Sequence, residues 1–215
     1  MPDWDKDSQE LWDNIDRVQS RLEHEAVKRL TPTLKLIKSW HVDTMQGLTA
    51  DEPKYIGSFR GEPGVEGIGV RIGGVPGVHS TKVAAEVRAF EAELQRRVAA
   101  LDKRYSSDLG LDVPGFADVI DLAAWAHSEW VRIHPFVNGN GRTARYLANF
   151  VFTRYGIGPV VCVRPRPGGD YEAAAADSMN GSHAATVNVF IQMIADQSSG
   201  KSQAAAARRA RKTKD

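Results

Sequence analysis

The chain has 215 residues, 42% hydrophobic and 26% charged, and its 28 basic and 27 acidic side chains leave a net charge of +1. A chain of this length buries roughly 70% of its unfolded surface, so it needs neither a disulfide nor a metal to hold a core. The near-neutral balance excludes a body given over to nucleic acid, which carries a strongly basic face, and no apolar run reaches the ~20 residues of a membrane span.

The start, Met1-Pro-Asp-Trp-Asp-Lys6, is too acidic for a secretory signal. The only cysteine, Cys162, sits in the apolar run Pro159–Val163, and a lone thiol cannot make an internal disulfide. Both features point to a reducing, cytoplasmic setting with Cys162 buried and inert.

In chain order, Asp7 and Glu10 suggest a capping box opening a helix to about Arg29, with Leu11, Ile15, Val18 and Leu22 along one face. Thr31-Pro32 ends it and restarts a second helix carrying Leu34, Ile37 and Val42 toward the core. From Gly57 to Val78 glycines and prolines dominate, and the β-like runs Ser58–Arg60 and Ile68–Ile72 predict a hairpin. Val83, Val87, Phe90, Leu94, Val98 and Leu101 predict a helix over 82–101. Pro114 suits the first turn of the next helix, which carries Val119, Leu122, Ala126 and Trp130 and ends near His134 because Pro135 follows. A helix resumes over 143–155 with Gly156 as its cap, and a pair follows at about 170–180 and 184–196. Residues 1–30 are expected as an N-terminal helical arm, 31–197 as the main domain and 198–215 as a disordered basic tail.

The chemistry concentrates in His134-Pro-Phe-Val-Asn-Gly-Asn-Gly-Arg142, set between two helices. Gly139 and Gly141 let a ligand approach the main chain, and the following helix presents free N–H groups and partial positive charge. That combination is an anion cradle. Arg142 and Arg145 at a helix N-terminus are unfavourable in isolation, and a polyphosphate would supply the missing negative charge. His134 at the loop entrance can take a proton near neutral pH. Gly139-Asn-Gly-Arg-Thr-Ala144 formally fits a dinucleotide fingerprint, but a helix rather than a strand precedes it. The chain contains neither a Walker A sequence nor a His-Glu-x-x-His zinc motif.

The loop resembles the signature of the Fic (filamentation induced by cyclic AMP) family, His-x-Phe-x-(Asp/Glu)-Gly-Asn-Gly-Arg-x-x-Arg. His134, Phe136, Gly139, Asn140, Gly141, Arg142 and Arg145 match it. Gly57-Ser-Phe-Arg60 with the segment 68–78 is similar to the family's flap, and Asp170-Tyr-Glu-Ala-Ala174 to its nucleotide-side helix start. The resemblance implies a mainly α Fic fold, a helical bundle with a small β-hairpin flap. It also implies a protein adenylyltransferase that moves AMP from ATP, with Mg²⁺, to a Tyr, Ser or Thr hydroxyl of a target protein. In that reading His134 is the base, and Asn140 with the Gly139 and Gly141 amides holds the α-phosphate. Arg142, helped by Arg145, binds the outer phosphates, and Phe136 anchors the loop. Tyr171 packs on the adenine or serves as a core aromatic. The flap residues Ile68, Gly69, Val70, Arg71 and Ile72 align the target by main-chain pairing.

Asn138 departs from the motif, standing where the family has the Asp or Glu that binds Mg²⁺. Asn keeps an oxygen that can ligate but loses a charge whose attraction for one unit charge at 4 Å is about 4 kcal/mol at an effective dielectric of 20. Weaker metal binding is expected, and two alternatives follow: transfer of a phosphate or UMP, or a catalytically weak nucleotide-binding module. The family's autoinhibitory motif, (Ser/Thr)-x-x-x-Glu-(Gly/Asn), has no good match. Ser58 and Glu62 have the spacing, but Pro63 follows and the segment lies in the flap. A toxin-like enzyme restrained by a separate small helical antitoxin, docking near Arg145 and the first helix, is the corresponding expectation.

Overall fold

The apolar stripes at helical spacing become seven α-helices among the described residues of a computed structural model, which describes residues 3–72, 74–105 and 110–200. They are α1 (Gln9–Val27), α2 (Leu34–Thr44), α3 (Ser80–Arg104), α4 (Val113–Ile133), α5 (Asn140–Arg154), α6 (Asp170–Ser178) and α7 (Ala184–Ser198). Between α2 and α3 lies a hairpin of β1 (Arg71–Ile72) and β2 (Val75–Pro76), antiparallel, with Arg71 opposite Pro76 and Ile72 opposite Val75. The expected tail from residue 201 onward lies outside the described residues.

The fold is built on α4 packed against α5, with α1 and α2 lying on α5 and with α3, α6 and α7 on α4. Leu11, Ile15, Val18 and Leu22 of α1 are buried in the same core as Trp130, Phe136, Phe150 and Phe152. The helix expected as an arm therefore shares the core of the body. α1 is capped by Ser8, whose hydroxyl accepts from the Leu11 amide at 3.2 Å, and not by Asp7. Asp7 instead accepts from Trp12 Nε1 at 2.7 Å and pairs with Arg164 at 3.0 Å.

Thr33 caps α2, and the buried stripe is Ile37, Trp40, His41 and Thr44. Val42, expected inside, is 42% exposed, because it lies off that stripe by its helical phase. α5 begins at Asn140, three residues before the expected start, since Gly139 adopts the left-handed conformation that opens it. Pro114 lies in the first turn of α4 and Gly156 follows the end of α5 with φ 80°, as their types demand. Cys162, expected to be buried, is only half-buried, and its thiol donates to Arg164 O at 3.0 Å.

The β content is smaller than the alternation suggested. Ser58–Arg60 forms no strand, because its main chain bonds elsewhere: the Phe59 amide to Glu62 Oε2 at 3.1 Å and the Arg60 amide to Pro135 O at 2.7 Å. Ile68, Gly69 and Val70 lead into β1 without pairing as strand residues.

Two histidines are locked in the core. His41 Nδ1 accepts from the Gly57 amide at 3.1 Å, and its Nε2 lies 3.0 Å from Asn138 O. Burial lowers the His41 pKa to about 4 and the His127 pKa to about 3. Both are neutral in the folded chain, while the unfolded chain protonates them near pH 6.5. Stability from this source is therefore present above pH 6.5 and falls as the pH drops toward the folded values. Denaturant unfolding should show a loss that steepens below pH 6.5 toward a limit of about 1.4 kcal/mol per pH unit per histidine near pH 5; a flat profile there would mean that both rings are charged or solvated.

Candidate active site

α4 ends at His134, a non-glycine residue in the left-handed region, with φ 50° and ψ 58°. Such a conformation is costly for a side-chain-bearing residue and persists only where the surroundings hold it. Here the His134 amide donates to Trp130 O at 3.0 Å, and Nδ1 lies 3.2 Å from Val131 O. That carbonyl can only accept, so Nδ1 carries the proton and Nε2 keeps its lone pair. Burial lowers the His134 pKa to about 4, and the nearby Arg60 charge acts in the same direction. The ring is neutral at pH 7 and is a base with its acceptor nitrogen available.

Arg60 fixes this geometry. It is 1% exposed, and its guanidinium donates to four carbonyls: His134 O (2.8 Å), Ile68 O (3.0 Å), Val78 O (2.8 Å) and Ile133 O (3.1 Å). The flap base and the C-terminus of α4 are thus held by one side chain. Gly77 lies against both, since a Cβ there would come 2.8 Å from Val70 Cγ2 and 3.4 Å from His134 Cβ.

Beyond Pro135, Phe136 is fully buried and stacks on His41 with centroids 3.9 Å apart. The Asn140 side-chain amide closes the loop, accepting from the Phe136 amide and donating to Phe136 O, both at 2.8 Å. Asn140 is expected to hold the α-phosphate; its side chain bonds Phe136, and its backbone N–H lies at the open start of α5. Gly139 has φ 80°, and a Cβ there would lie 3.0 Å from both His41 and Met45. Gly139 brings no side chain to cap α5, so the first N–H groups of that helix open toward the cavity.

That cavity, of about 380 Å³, is lined by His134, Asn138, Gly139, Arg142, Arg145 and Arg164 among others. Arg142 is 5% exposed, and burial pulls its pKa down while Asp5 opposes the shift. Its Nη1 donates to Trp4 O and to Asp5 Oδ1, each at 3.0 Å, and its Nε has no partner among the described residues. Arg145 donates from Nε to Val163 O at 3.2 Å and from Nη1 to the Tyr171 hydroxyl at 3.3 Å. That hydroxyl lies 2.7 Å from Nε2 of neutral His127. Tyr171, 3% exposed, therefore orients Arg145 from within the core. Ile72 of the flap reaches the same cavity, while Ile68 O accepts from Arg60 and Val70 O accepts from the Gly77 amide across the flap at 3.0 Å. Asn138 donates from Nδ2 to Asp5 Oδ2 at 3.0 Å.

The sequence pattern did not single out Asp5, His41 or His127, and it placed Arg60 in the flap segment without a role of its own. His41 was accessible in principle, because it falls on the helical stripe with Ile37, Trp40 and Thr44. Nothing local marks the role of Asp5 toward Arg142 or of Arg60 toward His134, partners 137 and 74 residues away.

The Fic/DOC family matches residues 31–152 of the chain. Among curated relatives, the protein adenylyltransferase Fic of Nematostella vectensis is 37% identical over 82 residues, 38% of this chain and 18% of that protein. Protein adenylyltransferase fic-1 of Caenorhabditis elegans is 52% identical over 44 residues, 20% of this chain and 9% of that protein. The chain thus spans less than a fifth of the length of these relatives. Of solved structures, a Fic-domain signalling protein of Bacteroides thetaiotaomicron has a TM-score of 0.59 at 23% identity, covering 88% of this chain and 67% of that one. The BepC protein of Bartonella tribocorum, solved with bound AMPPNP, has a TM-score of 0.57 at 17% identity, covering 87% and 88%. At these identities the likeness is one of fold.

The tautomer of His134 is open to direct measurement. Nuclear magnetic resonance of the imidazole nitrogens should show the Nδ1–H form and a titration midpoint near pH 4. An Nε2–H ring would show that the nitrogen facing the cavity is not the basic one, and a midpoint near 6.5 would show that the ring is not desolvated.

Proposed function

Since the chain belongs to the Fic/DOC family, we propose that it is a protein adenylyltransferase, transferring AMP from ATP to a Tyr, Ser or Thr hydroxyl of a target protein. One observation carries this reading. A neutral histidine, its Nδ1–H tied to Val131 O, shares a cavity with the open N-terminus of α5 and with buried arginines. The relatives named as adenylyltransferases and the AMPPNP-bound structure of similar fold support ATP as the donor.

In the proposed reaction the target hydroxyl oxygen attacks the α-phosphorus and its proton passes to His134 Nε2. The bond from the α-phosphorus to the bridging oxygen breaks, and pyrophosphate leaves. Backbone N–H groups at the start of α5 stabilise charge on the α-phosphate. Arg142 and Arg145 hold the outer phosphates, Tyr171 and His127 setting the angle of Arg145. The unpaired edge of β1 receives the target as an added strand, bringing its side chain toward His134 beside Ile72. Asn138 stands at the position where the family signature has its Mg²⁺ ligand, and a cation bound there with the nucleotide would supply positive charge to the phosphates.

No helix among the described residues is long and apolar enough to cross a membrane, and we place the reaction in the cytoplasm. A toxin-like role belongs to the same proposal, with restraint by a small helical antitoxin that brings a carboxylate to Arg145. The apolar face of α1 is taken up by the core, so such a partner would meet its polar side.

Incubating the chain and a cell lysate with ATP labelled at the α- or the γ-phosphate separates the possibilities. We expect α-label on protein, lost in His134→Ala while ATP affinity stays within a few-fold, since a base acts in the transition state. In cells the same His134-dependent reaction should arrest growth. Label from the γ-phosphate would indicate phosphate transfer, and nucleotide binding without label would indicate a binding module.

A further inference from the structure

The segment before α1 crosses the cavity, and nothing in the loop signature accounts for it. It is pinned on both sides. Asp3 accepts from the Thr49 amide at 2.6 Å and from the Thr49 hydroxyl at 2.9 Å, and Trp4 is buried beside Tyr55, with ring centroids 6.3 Å apart. Downstream, Asp7 pairs with Arg164 Nε at 3.0 Å, while Arg164 Nη2 reaches Asp5 O at 3.5 Å. Between these anchors the Asp5 carboxylate is held over the loop, Oδ1 on Arg142 Nη1 and Oδ2 on Asn138 Nδ2, both at 3.0 Å.

This places one negative charge beside the side chain of Asn138, where the family signature has its own carboxylate. The two positions are complementary. An acidic residue at 138 would set two carboxylates against each other at hydrogen-bond distance, whereas the Asn138 amide donates to Asp5 and orients it. Nor does Asp5 fill the cradle. The N–H groups at the start of α5 remain open, Arg142 Nε is buried without a partner among the described residues, and Arg142 Nη2 meets only Met45 Sδ there, at 3.9 Å. These donors await a further anion. The Asp5 side chain is 65% exposed, so its carboxylate has room for a ligand on the side away from Arg142.

We propose that Asp5 is the acidic ligand of a divalent cation in this site, supplied from the N-terminal segment in place of the carboxylate missing at position 138. Hard divalent cations take carboxylate, amide-carbonyl, phosphate and water oxygens. Asp5 provides the first and a bound nucleotide the third, while Asn138, whose Oδ1 accepts from the Gly139 amide at 2.5 Å, orients Asp5 through its Nδ2. The inference rests on the nucleotide reading above.

The test uses the full chain, AMPPNP as nucleotide and Mn²⁺ as the cation, with calorimetry for nucleotide affinity and electron paramagnetic resonance for bound Mn²⁺. Mn²⁺ should tighten AMPPNP binding to the wild type. Asp5→Asn should reduce Mn²⁺ affinity on the order of ten- to a hundredfold and remove that gain, with metal-free AMPPNP affinity undiminished. The double variant Asp5→Asn/Asn138→Asp should recover the metal dependence, because the carboxylate returns on the other side of the same contact. If Asp5→Asn strengthens AMPPNP equally with and without Mn²⁺, the segment is a competitor for the phosphates and the proposal is wrong. Unchanged Mn²⁺ coupling in Asp5→Asn, or no recovery in the double variant, overturns it as well. Wild-type protein that binds no AMPPNP would remove the nucleotide reading and this inference together.

Discussion

A guanidinium in the interior, surrounded by carbonyls, organises the site. Arg60 is 1% exposed and donates to His134, Ile133, Ile68 and Val78. Removing a cation from water is expensive unless every donor finds an acceptor. Two of these acceptors lie at the C-terminus of α4, where the helix dipole concentrates negative charge. The charge is therefore stabilised by the helix end whose direction it fixes, and the same fork reaches both legs of the flap. Arginine suits the position because its planar donors diverge at fixed angles, which a lysine ammonium on a flexible stem does not reproduce.

From that attachment the loop gains its rigidity in steps. The Arg60 amide bonds Pro135 O, Phe136 stacks on His41, and His41 in turn bonds the main chain at Gly57 and Asn138. Asn140 links both polar groups of Phe136. The loop is held by bonds within the chain itself, and such preorganisation removes the reorganisation that would otherwise accompany charge development on a phosphate. The αL conformation of His134 belongs to the same arrangement, since it turns the ring back onto Val131 O and leaves Nε2 for the cavity.

The helices are legible because their apolar residues repeat at helical spacing, and the structure departs from that pattern where a competing rule decides. Val42 was placed inside by type, but the stripe through Trp40 and His41 sets the phase. The cap of α1 went to Ser8 because Asp7 had a partner in Arg164, 157 residues away. In the site, the glycines and arginines of the loop stood out because cationic side chains at a helix start are unfavourable unless an anion joins them there. Asn140 stands out in the loop signature, but the bonds of its side chain to Phe136 do not show in the sequence, since an amide serves a phosphate and a peptide equally well. Arg60 and Asp5 act across the fold on partners that no local pattern connects to them.

The most direct measurement is the effect of Arg60→Lys on the proposed AMP transfer, read beside hydrogen exchange in the flap, residues 68–78, and at His134. Lysine keeps the charge but not the four-way fork. Transfer should drop on the order of a hundredfold, the scale set by a displacement of about 1 Å at a reacting group. ATP affinity should stay near wild type while exchange quickens in the flap and at the end of α4. Wild-type transfer rates together with unchanged exchange would contradict the central place given to Arg60.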